Sequence, residues 1–252
     1  MPEHDVKQSE RDIYNRGYAS SDILPDRELM ARLLSRRDRW LDTRVAMLPG
    51  GASVLDVGCG AGRTSTKLAQ MGLRVTAIDL SEVRIREAKE RAQDLGLNID
   101  FFAGDAEQLD FAPETFDAVH CAAILHHLPD VENDVVRLRN LLRPGGSFFA
   151  MEPGLLNPFA FVRRRFFPTA VHTPDERPFV PSKFFAMFRR RFRIVECRHF
   201  YILSLVAPII EKIVGRRAAS MVLGPTAAVD ELLCSLPIVR ELAWYLDVHA
   251  IK

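Results

Sequence analysis

The chain has 252 residues, 48% of them hydrophobic, and its 34 basic and 33 acidic side chains leave a formal net charge of +1. A chain of this length can bury enough apolar surface to fold without a metal or disulfide staple, so one enlarged domain or a domain with an appendage is expected. The balanced charge argues against broad binding of nucleic acid, which requires a basic excess.

The cysteines and the N-terminal residues indicate the compartment. The four cysteines lie far apart, with no CxxC pair and no metal-ligand spacing, so we expect reduced thiols and no metal site. The first residues are polar and lack the apolar stretch of a signal peptide. The longest apolar stretch, residues 201–210, contains Pro208 and is too short to span a bilayer. These features predict a cytoplasmic protein.

The hydrophobic periodicity predicts helices that alternate with strands as far as residue 152. A polar N-terminal segment, expected as a short covering helix, precedes a helix over residues 26–47. Strands are predicted at residues 53–57, 73–78, 99–103, 116–122 and 147–152, with helices at residues 63–71, 81–95 and 131–142 between them. Such alternation predicts a mostly parallel sheet with helices on both faces.

The pattern changes after residue 152. Residues 153–180 are rich in proline, phenylalanine and arginine and are predicted to be irregular. Ser182 is expected to cap a helix, and residues 192–200 alternate as a strand does. Residues 204–236 predict two amphipathic helices broken near Gly224-Pro225, and residues 244–251 predict a last strand. The C-terminal part is therefore expected to add a largely helical cap.

A glycine-rich turn, VLDVGCGAGR at residues 54–63, joins the first strand to the following helix. Glycines allow the backbone to bend sharply and to approach a ligand, which in an open α/β sheet lies outside the carboxyl ends of the strands. The dinucleotide pattern is GxGxxG, whereas this turn reads GxGxG and has Arg63 where the third glycine would be. Asp56 just before the turn would repel a pyrophosphate and favour a cationic ligand, directly or by orienting water and backbone donors. An NAD-dependent oxidoreductase is therefore disfavoured.

Two further carboxylates are predicted at the same edge of the sheet. Asp79 closes the second strand, where an acidic side chain can accept hydrogen bonds from ribose hydroxyls. Asp105 follows the third strand in Gly104-Asp105-Ala106. Because the carboxyl ends of parallel strands share one edge, these residues and the glycine turn predict one ligand site.

Together with LLRPGG at residues 141–146, these motifs resemble the class I S-adenosylmethionine-dependent methyltransferases. The most similar group is the small-molecule ("type 11") branch, which includes quinone-biosynthesis methyltransferases, and the resemblance covers residues 50–152. It implies a Rossmann-like seven-stranded sheet in the order 3-2-1-4-5-7-6, with an antiparallel strand 7 supplied by the C-terminal tail. The expected organisation is an N-terminal helical cover (1–48), a cofactor-binding core (49–152) and an acceptor-side insert with the final strands (153–252).

The resemblance also implies S-adenosylmethionine as the cofactor and a role for each motif. The methionine part of the cofactor would lie against the glycine turn, the ribose and adenine against the next two strand ends, and the sulfonium against the fourth. The residues implied are Asp56, Gly58, Cys59, Gly60 and Arg63 for the methionine part, Asp79 and Leu80 for the ribose and adenine, Asp105 and Ala106 for the adenine edge, and Cys121 and Ala122 for the sulfonium.

The acceptor side is less clearly specified. His126 and His127 follow the fourth strand and are candidate general bases, although a packing role for this loop is equally compatible with the pattern. Glu152 at the end of the fifth strand is a candidate acceptor contact. Arg163, His172 and Arg177 in the insert are further candidates, for which a solvated loop or face is the alternative.

The sequence thus predicts methyl transfer to an oxygen, nitrogen or carbon atom of a small, partly apolar acceptor. The phenylalanine- and arginine-rich insert suggests an acceptor with an anionic group, such as a glycan, lipid-linked or quinone precursor. Contact with a membrane surface is a minor alternative, and the sequence does not specify an oligomeric state. A non-catalytic cofactor-binding or interaction protein is the alternative from another class.

Overall fold

The computed structural model describes residues 11, 12, 15, 27–166 and 176–252, without the side chains of Arg27, Arg163, Arg164 and Ile194. Seven strands form one sheet in the order β3-β2-β1-β4-β5-β7-β6. The strands are β1 (Ser53–Val57), β2 (Arg74–Asp79), β3 (Asp100–Ala103), β4 (Phe116–Ala122), β5 (Leu142–Pro153), β6 (Ile194–Phe200) and β7 (Tyr245–Ile251). Strand β7 is antiparallel to both neighbours, and the other pairs are parallel. The predicted fold class and strand order are confirmed.

The helices of the described residues lie before, between and after these strands. They are α1 (Arg27–Val45), α2 (Arg63–Gln70), α3 (Glu82–Asp94), α4 (Val131–Leu141), α5 (Pro158–Phe166), α6 (Pro181–Arg189), α7 (Val206–Ile213) and α8 (Arg216–Ser235). Short 3-10 turns occur at Ala106–Gln108, Leu125–His127 and Val239–Leu242. Among the described helices, none is both long enough and apolar enough to cross a bilayer.

The sheet is buried on both faces, which is why its central strands read as nearly continuous apolar runs. In β1, Val54 belongs to the core shared with α1, α2 and α3, whereas Leu55 and Val57 belong to the core shared with α4 and α6. Adjacent strand residues point to opposite faces, so one five-residue strand contributes to both cores. This packing fixes the carboxyl ends of β1, β2, β4 and β5 at one edge.

Two helix boundaries differ from the sequence prediction. Helix α8 continues through Gly224-Pro225, and the break between α7 and α8 lies at Gly215, whose φ of 113° favours glycine. Pro225 removes one backbone hydrogen bond inside the helix, but the neighbouring Thr226 hydroxyl donates to Val222 O at 2.7 Å and helps to hold that turn. A residue that separates two helices must adopt a non-helical conformation. Gly215 adopts one, whereas Gly224 and Pro225 lie inside α8.

The insert also differs from the prediction. Residues 158–166 form helix α5 and are not irregular. Ser182 does not cap the next helix, because α6 begins at Pro181 after Val180. Proline suits the first helical position, since the amide hydrogen it lacks would have no partner there.

Candidate active site

The turn after β1 is held by backbone contacts at the carboxyl edge of the sheet. The amides of Gly58 and Cys59 both donate to Ile78 O, at 2.8 and 3.0 Å. Gly58 has a φ of 71°, and a Cβ added there would lie 2.8 Å from Cβ of Ile124 in the loop after β4. This position therefore requires glycine both for its conformation and for the close approach of the two loops.

Asp79 connects the end of β2 to the glycine turn and to α3. Its Oδ2 accepts a hydrogen bond from the Gly60 amide at 2.7 Å, and its Oδ1 accepts one from the Ser81 amide at 2.9 Å. Burial raises the pKa of the Asp79 carboxyl above its ordinary value, although both hydrogen bonds oppose that effect. The carboxylate thus lies beside the turn, where the sequence placed a ribose contact.

Asp105 lies next to Asp79 along the same edge. The Gly104 amide donates to Asp79 O at 2.9 Å, which joins the ends of β2 and β3. Oδ1 of Asp105 accepts from the Glu107 amide at 2.9 Å and so caps the 3-10 turn that begins at Ala106. Leu80 beside them is half-buried. The structure therefore brings the predicted ribose and adenine residues together.

Arg63, predicted to reach the cofactor carboxylate, is the first residue of α2. Its side chain is exposed.

Asp56 has a different environment from the one expected of a direct ligand contact. It is fully buried, its Oδ2 accepts from the Ser65 hydroxyl at 2.5 Å, and its Oδ1 lies 2.7 Å from Nδ1 of His120. Both oxygens are thus engaged inside the protein, on the face covered by α2. Of the two roles that the sequence allowed, these contacts favour the orienting one, and a direct contact between Asp56 and a ligand stays a prediction.

The end of β4 forms the opposite side of the site. Cys121 is buried, and burial raises the pKa of its thiol well above the ordinary value, which keeps it protonated. Ala122 is half-buried, and Ala123 follows with a φ of 53° while its amide donates to Met151 O at 2.8 Å. A left-handed alanine is uncommon and such strain concentrates at functional sites. Sequence reasoning missed Ala123, because nothing in its local pattern indicates a positive φ.

Glu152 organises the loop that carries the two histidines. Its Oε1 accepts from the amides of Ile124 and Leu125 at 3.0 and 2.8 Å, and its Oε2 lies 2.6 Å from Nδ1 of His126. Because Glu152 is fully buried and both oxygens are engaged, it positions His126. The predicted direct contact between Glu152 and an acceptor stays a prediction, and these contacts favour a positioning role instead.

The histidine pair lies at the rim, under the insert. His126 is buried, His127 is half-buried, and their ring centroids are 4.1 Å apart. The Arg177 amide donates to His126 O at 3.0 Å, so the insert crosses the rim directly beside the pair. The side chain of Arg177 is exposed, and Glu176 beside it is half-buried. From the sequence, Glu176 is favoured as part of a solvated loop and is not named as a candidate, because the local pattern does not show that it returns to the histidine loop.

Further contacts join the cover and the insert to the core. The Phe179 amide donates to Pro153 O at 3.0 Å, which places residues 176–180 against the end of β5. On the N-terminal side, Oδ1 of Asn15 accepts from the Ser81 hydroxyl at 2.5 Å, beside Asp79. Of the other acceptor-side candidates, His172 and the side chain of Arg163 lie outside the described residues.

Residues 54–146 match the family model described as "Methyltransferase domain". The ubiquinone biosynthesis O-methyltransferase of Stutzerimonas stutzeri is 37% identical over 114 residues, which is 45% of this chain and 48% of that protein. The chain thus spans about half the length of the curated relatives it matches. The region that matches the family model contains the glycine turn, Asp79, Asp105 and the histidine loop.

Solved structures with the same fold extend the similarity beyond that region. The magnesium protoporphyrin IX methyltransferase ChlM from Synechocystis, solved with bound S-adenosylmethionine, has a TM-score of 0.61 and 18% identity, covering 98% of this chain and 97% of its own. The cyclase SpnF has a TM-score of 0.57 and 23% identity, covering 85% and 80%. Because a cyclase shares the fold, the fold alone does not decide the reaction.

Proposed function

We propose that this chain, which carries a class I S-adenosylmethionine-dependent methyltransferase domain over residues 54–146, transfers the sulfonium methyl group to a small-molecule acceptor. The observation that carries the proposal is the Asp79 carboxylate, which links the glycine turn to the start of α3 within the matched domain. Ribose hydroxyls suit this carboxylate, and the turn offers a backbone cradle for the methionine part. An NAD-dependent oxidoreductase is not favoured.

The reaction is an in-line displacement. A nucleophilic atom of the acceptor attacks the methyl carbon, the carbon–sulfur bond breaks, and S-adenosylhomocysteine leaves. The cofactor is already activated, so the protein's main contribution is to hold two reactants in line, which can supply about 7–11 kcal/mol. The backbone of residues 121–123 faces the sulfonium, and the His126–His127 pair faces the acceptor.

The acceptor lies under the insert, on the side of the histidine pair. The backbone contact between Arg177 and His126 supports this placement, and the exposed Arg177 guanidinium supports an acceptor with an anionic group. The similar proteins named for ubiquinone biosynthesis agree with a partly apolar acceptor. The four cysteines are unpaired, which supports a reducing compartment such as the cytoplasm.

Calorimetry tests the cofactor part of the proposal. S-adenosylhomocysteine should bind to the purified chain, and NADH should not. Binding of NADH without any response to S-adenosylhomocysteine would overturn the proposal.

Methyl transfer itself is measured separately, with a methyl-labelled cofactor against a panel of phenolic, lipid-like and glycan acceptors. Arg177→Ala should raise KM for an anionic acceptor and leave cofactor affinity unchanged. Arg74→Ala is the matched control, because Arg74 begins β2 at the opposite edge of the sheet. Equal KM values for the two variants would remove the anionic-acceptor assignment and leave the cofactor assignment intact.

A further inference from the structure

Three side chains with metal-ligating atoms converge at the acceptor side of the site. The ligand atoms of His126, His127 and Glu176 all lie within 4.8 Å of one another. They come from two separate segments, the 3-10 turn after β4 and the irregular segment of the insert that begins at residue 176. The Arg177 amide, bonded to His126 O at 3.0 Å, holds the second segment against the first.

The contact with Glu152 defines which nitrogen of His126 can act as a ligand. Oε1 of Glu152 already accepts from two backbone amides. Because a carboxylate only accepts hydrogen bonds, the contact of 2.6 Å with Oε2 is made by a hydrogen on Nδ1 of His126. Nε2 then carries the lone pair of the ring. A carboxylate that holds the far nitrogen of a histidine in this way is the usual support of a metal-ligating imidazole.

We propose that His126, His127 and Glu176 bind one divalent transition metal ion of the zinc class. Two imidazoles and one carboxylate, with further positions open, form the ligand set of catalytic zinc sites, whereas Mg²⁺ and Ca²⁺ prefer oxygen ligands alone. Tetrahedral ligands about 2.0–2.1 Å from zinc lie roughly 3.4 Å apart, so closure needs side-chain shifts of about an ångström. Glu176 and His127 are half-buried, which leaves room for such shifts.

The metal gives the site a specific chemistry toward hydroxyl acceptors, and this role rests on the proposed function. The acceptor hydroxyl would occupy an open position of the metal, which lowers the pKa of that hydroxyl and lets its proton pass to a base in solution. The oxygen then forms a bond to the methyl carbon, and the electron pair of the broken carbon–sulfur bond stays on sulfur. The histidines thus act as ligands, and neither of them takes the proton.

The test uses the tag-free full chain, stripped with a chelator and titrated with Co²⁺ alone. One equivalent should bind per chain and give the visible absorption of a four- or five-coordinate ion, and Zn²⁺ should displace it. Glu176→Gln, which removes a ligand from a half-buried position, should weaken binding at least about tenfold. Glu90→Gln is the matched control, because Glu90 is exposed on α3. Glu152→Gln should weaken metal binding about 10–100-fold through His126.

Several results would overturn the inference. Absence of stoichiometric Co²⁺ binding would refute it, and so would equal affinities of the wild type and Glu176→Gln. Calorimetry with S-adenosylhomocysteine on the same metal-free samples separates this inference from the proposed function. Cofactor binding without metal binding refutes only the metal site. Metal binding without cofactor binding supports the site and refutes the proposed methyl transfer.

Discussion

Replacement of Asp79 is the most direct perturbation of the cofactor site. The carboxylate accepts from the amides of Gly60 and Ser81 with two different oxygens, so it shapes the glycine turn. Under the proposed function it would also accept from a ribose hydroxyl. Asp79→Ala removes both functions. Asp79→Asn keeps the shape of the side chain, but its NH2 group would face one of the two backbone N–H groups, and two donors form no hydrogen bond. Asparagine should therefore not rescue binding.

The magnitude follows from the hydrogen bonds that are lost. A hydrogen bond to a charged group contributes about 1.5–3 kcal/mol, so the loss of one ribose contact weakens cofactor binding roughly 10- to 150-fold. The fold should survive. Burial raises the pKa of Asp79, which means that the folded protein, on balance, disfavours the ionised carboxylate. Removal of this charge by alanine should therefore not unfold the chain.

Calorimetry with S-adenosylhomocysteine measures this change, and circular dichroism checks the fold. Asp117→Ala is the matched control, because Asp117 also accepts from a backbone amide, that of Ser53 at 2.8 Å, but lies at the beginning of β4 on the opposite edge. It should lower stability without changing cofactor affinity. A folded Asp79→Ala variant with wild-type affinity would show that the ribose does not bind there.

Two further predictions concern the glycine turn and the buried strand β7. Gly58→Ala should destabilise the fold by about 1–3 kcal/mol and weaken cofactor binding more than tenfold. Gly51→Ala is the control for the conformational cost alone, because Gly51 has a similar φ of 72° but nothing within 4 Å of the added Cβ. Denaturant unfolding and calorimetry should separate the two variants. Burial raises the pKa of Asp247 from 3.8 to about 8, so the folded chain binds this proton more tightly and loses stability as pH rises across that window. The midpoint temperature of thermal unfolding should fall less between pH 5 and 8 for Asp247→Asn than for the wild type. Parallel pH profiles of the two proteins would contradict the assignment.

The strands could be predicted because each carries a strong local signal, whereas their order was implied by the resemblance to class I methyltransferases. Val54 and Leu55 belong to opposite cores, so β1 reads as an apolar run. The tail alternates because Leu246, Val248 and Ala250 enter one core, whereas the buried polar residues Asp247 and His249 point to the other face of β7. The break between α7 and α8 could not be predicted in the same way. Gly224-Pro225 is the stronger breaking signal in sequence, but α8 tolerates the proline, and a single Gly215 with a positive φ ends the preceding helix.

The candidate site could be predicted only where one strand end carries its own motif. Asp79 and Asp105 each follow a strand, and parallel strands bring such ends together without further information. Glu152 lies at the predicted edge, but its contacts with the histidine loop could not be predicted, because they depend on the path of the loop after β4. Glu176 depends on a backbone contact between distant segments, which periodicity does not encode.

Two pairs of histidine and carboxylate in this protein show why position, and not residue type, decides function. His120 and Asp56 face each other at 2.7 Å across the middle of β1 and β4, and both are buried under α2. His126 and Glu152 make the same contact at 2.6 Å, but at the carboxyl edge and beneath the insert. Ligands of an open α/β sheet bind outside that edge, so of these two pairs only the second lies at the edge where the acceptor is proposed to bind. The first pair instead lies next to the glycine turn, which begins just after Asp56, and contacts Ser65 of α2 through that carboxylate.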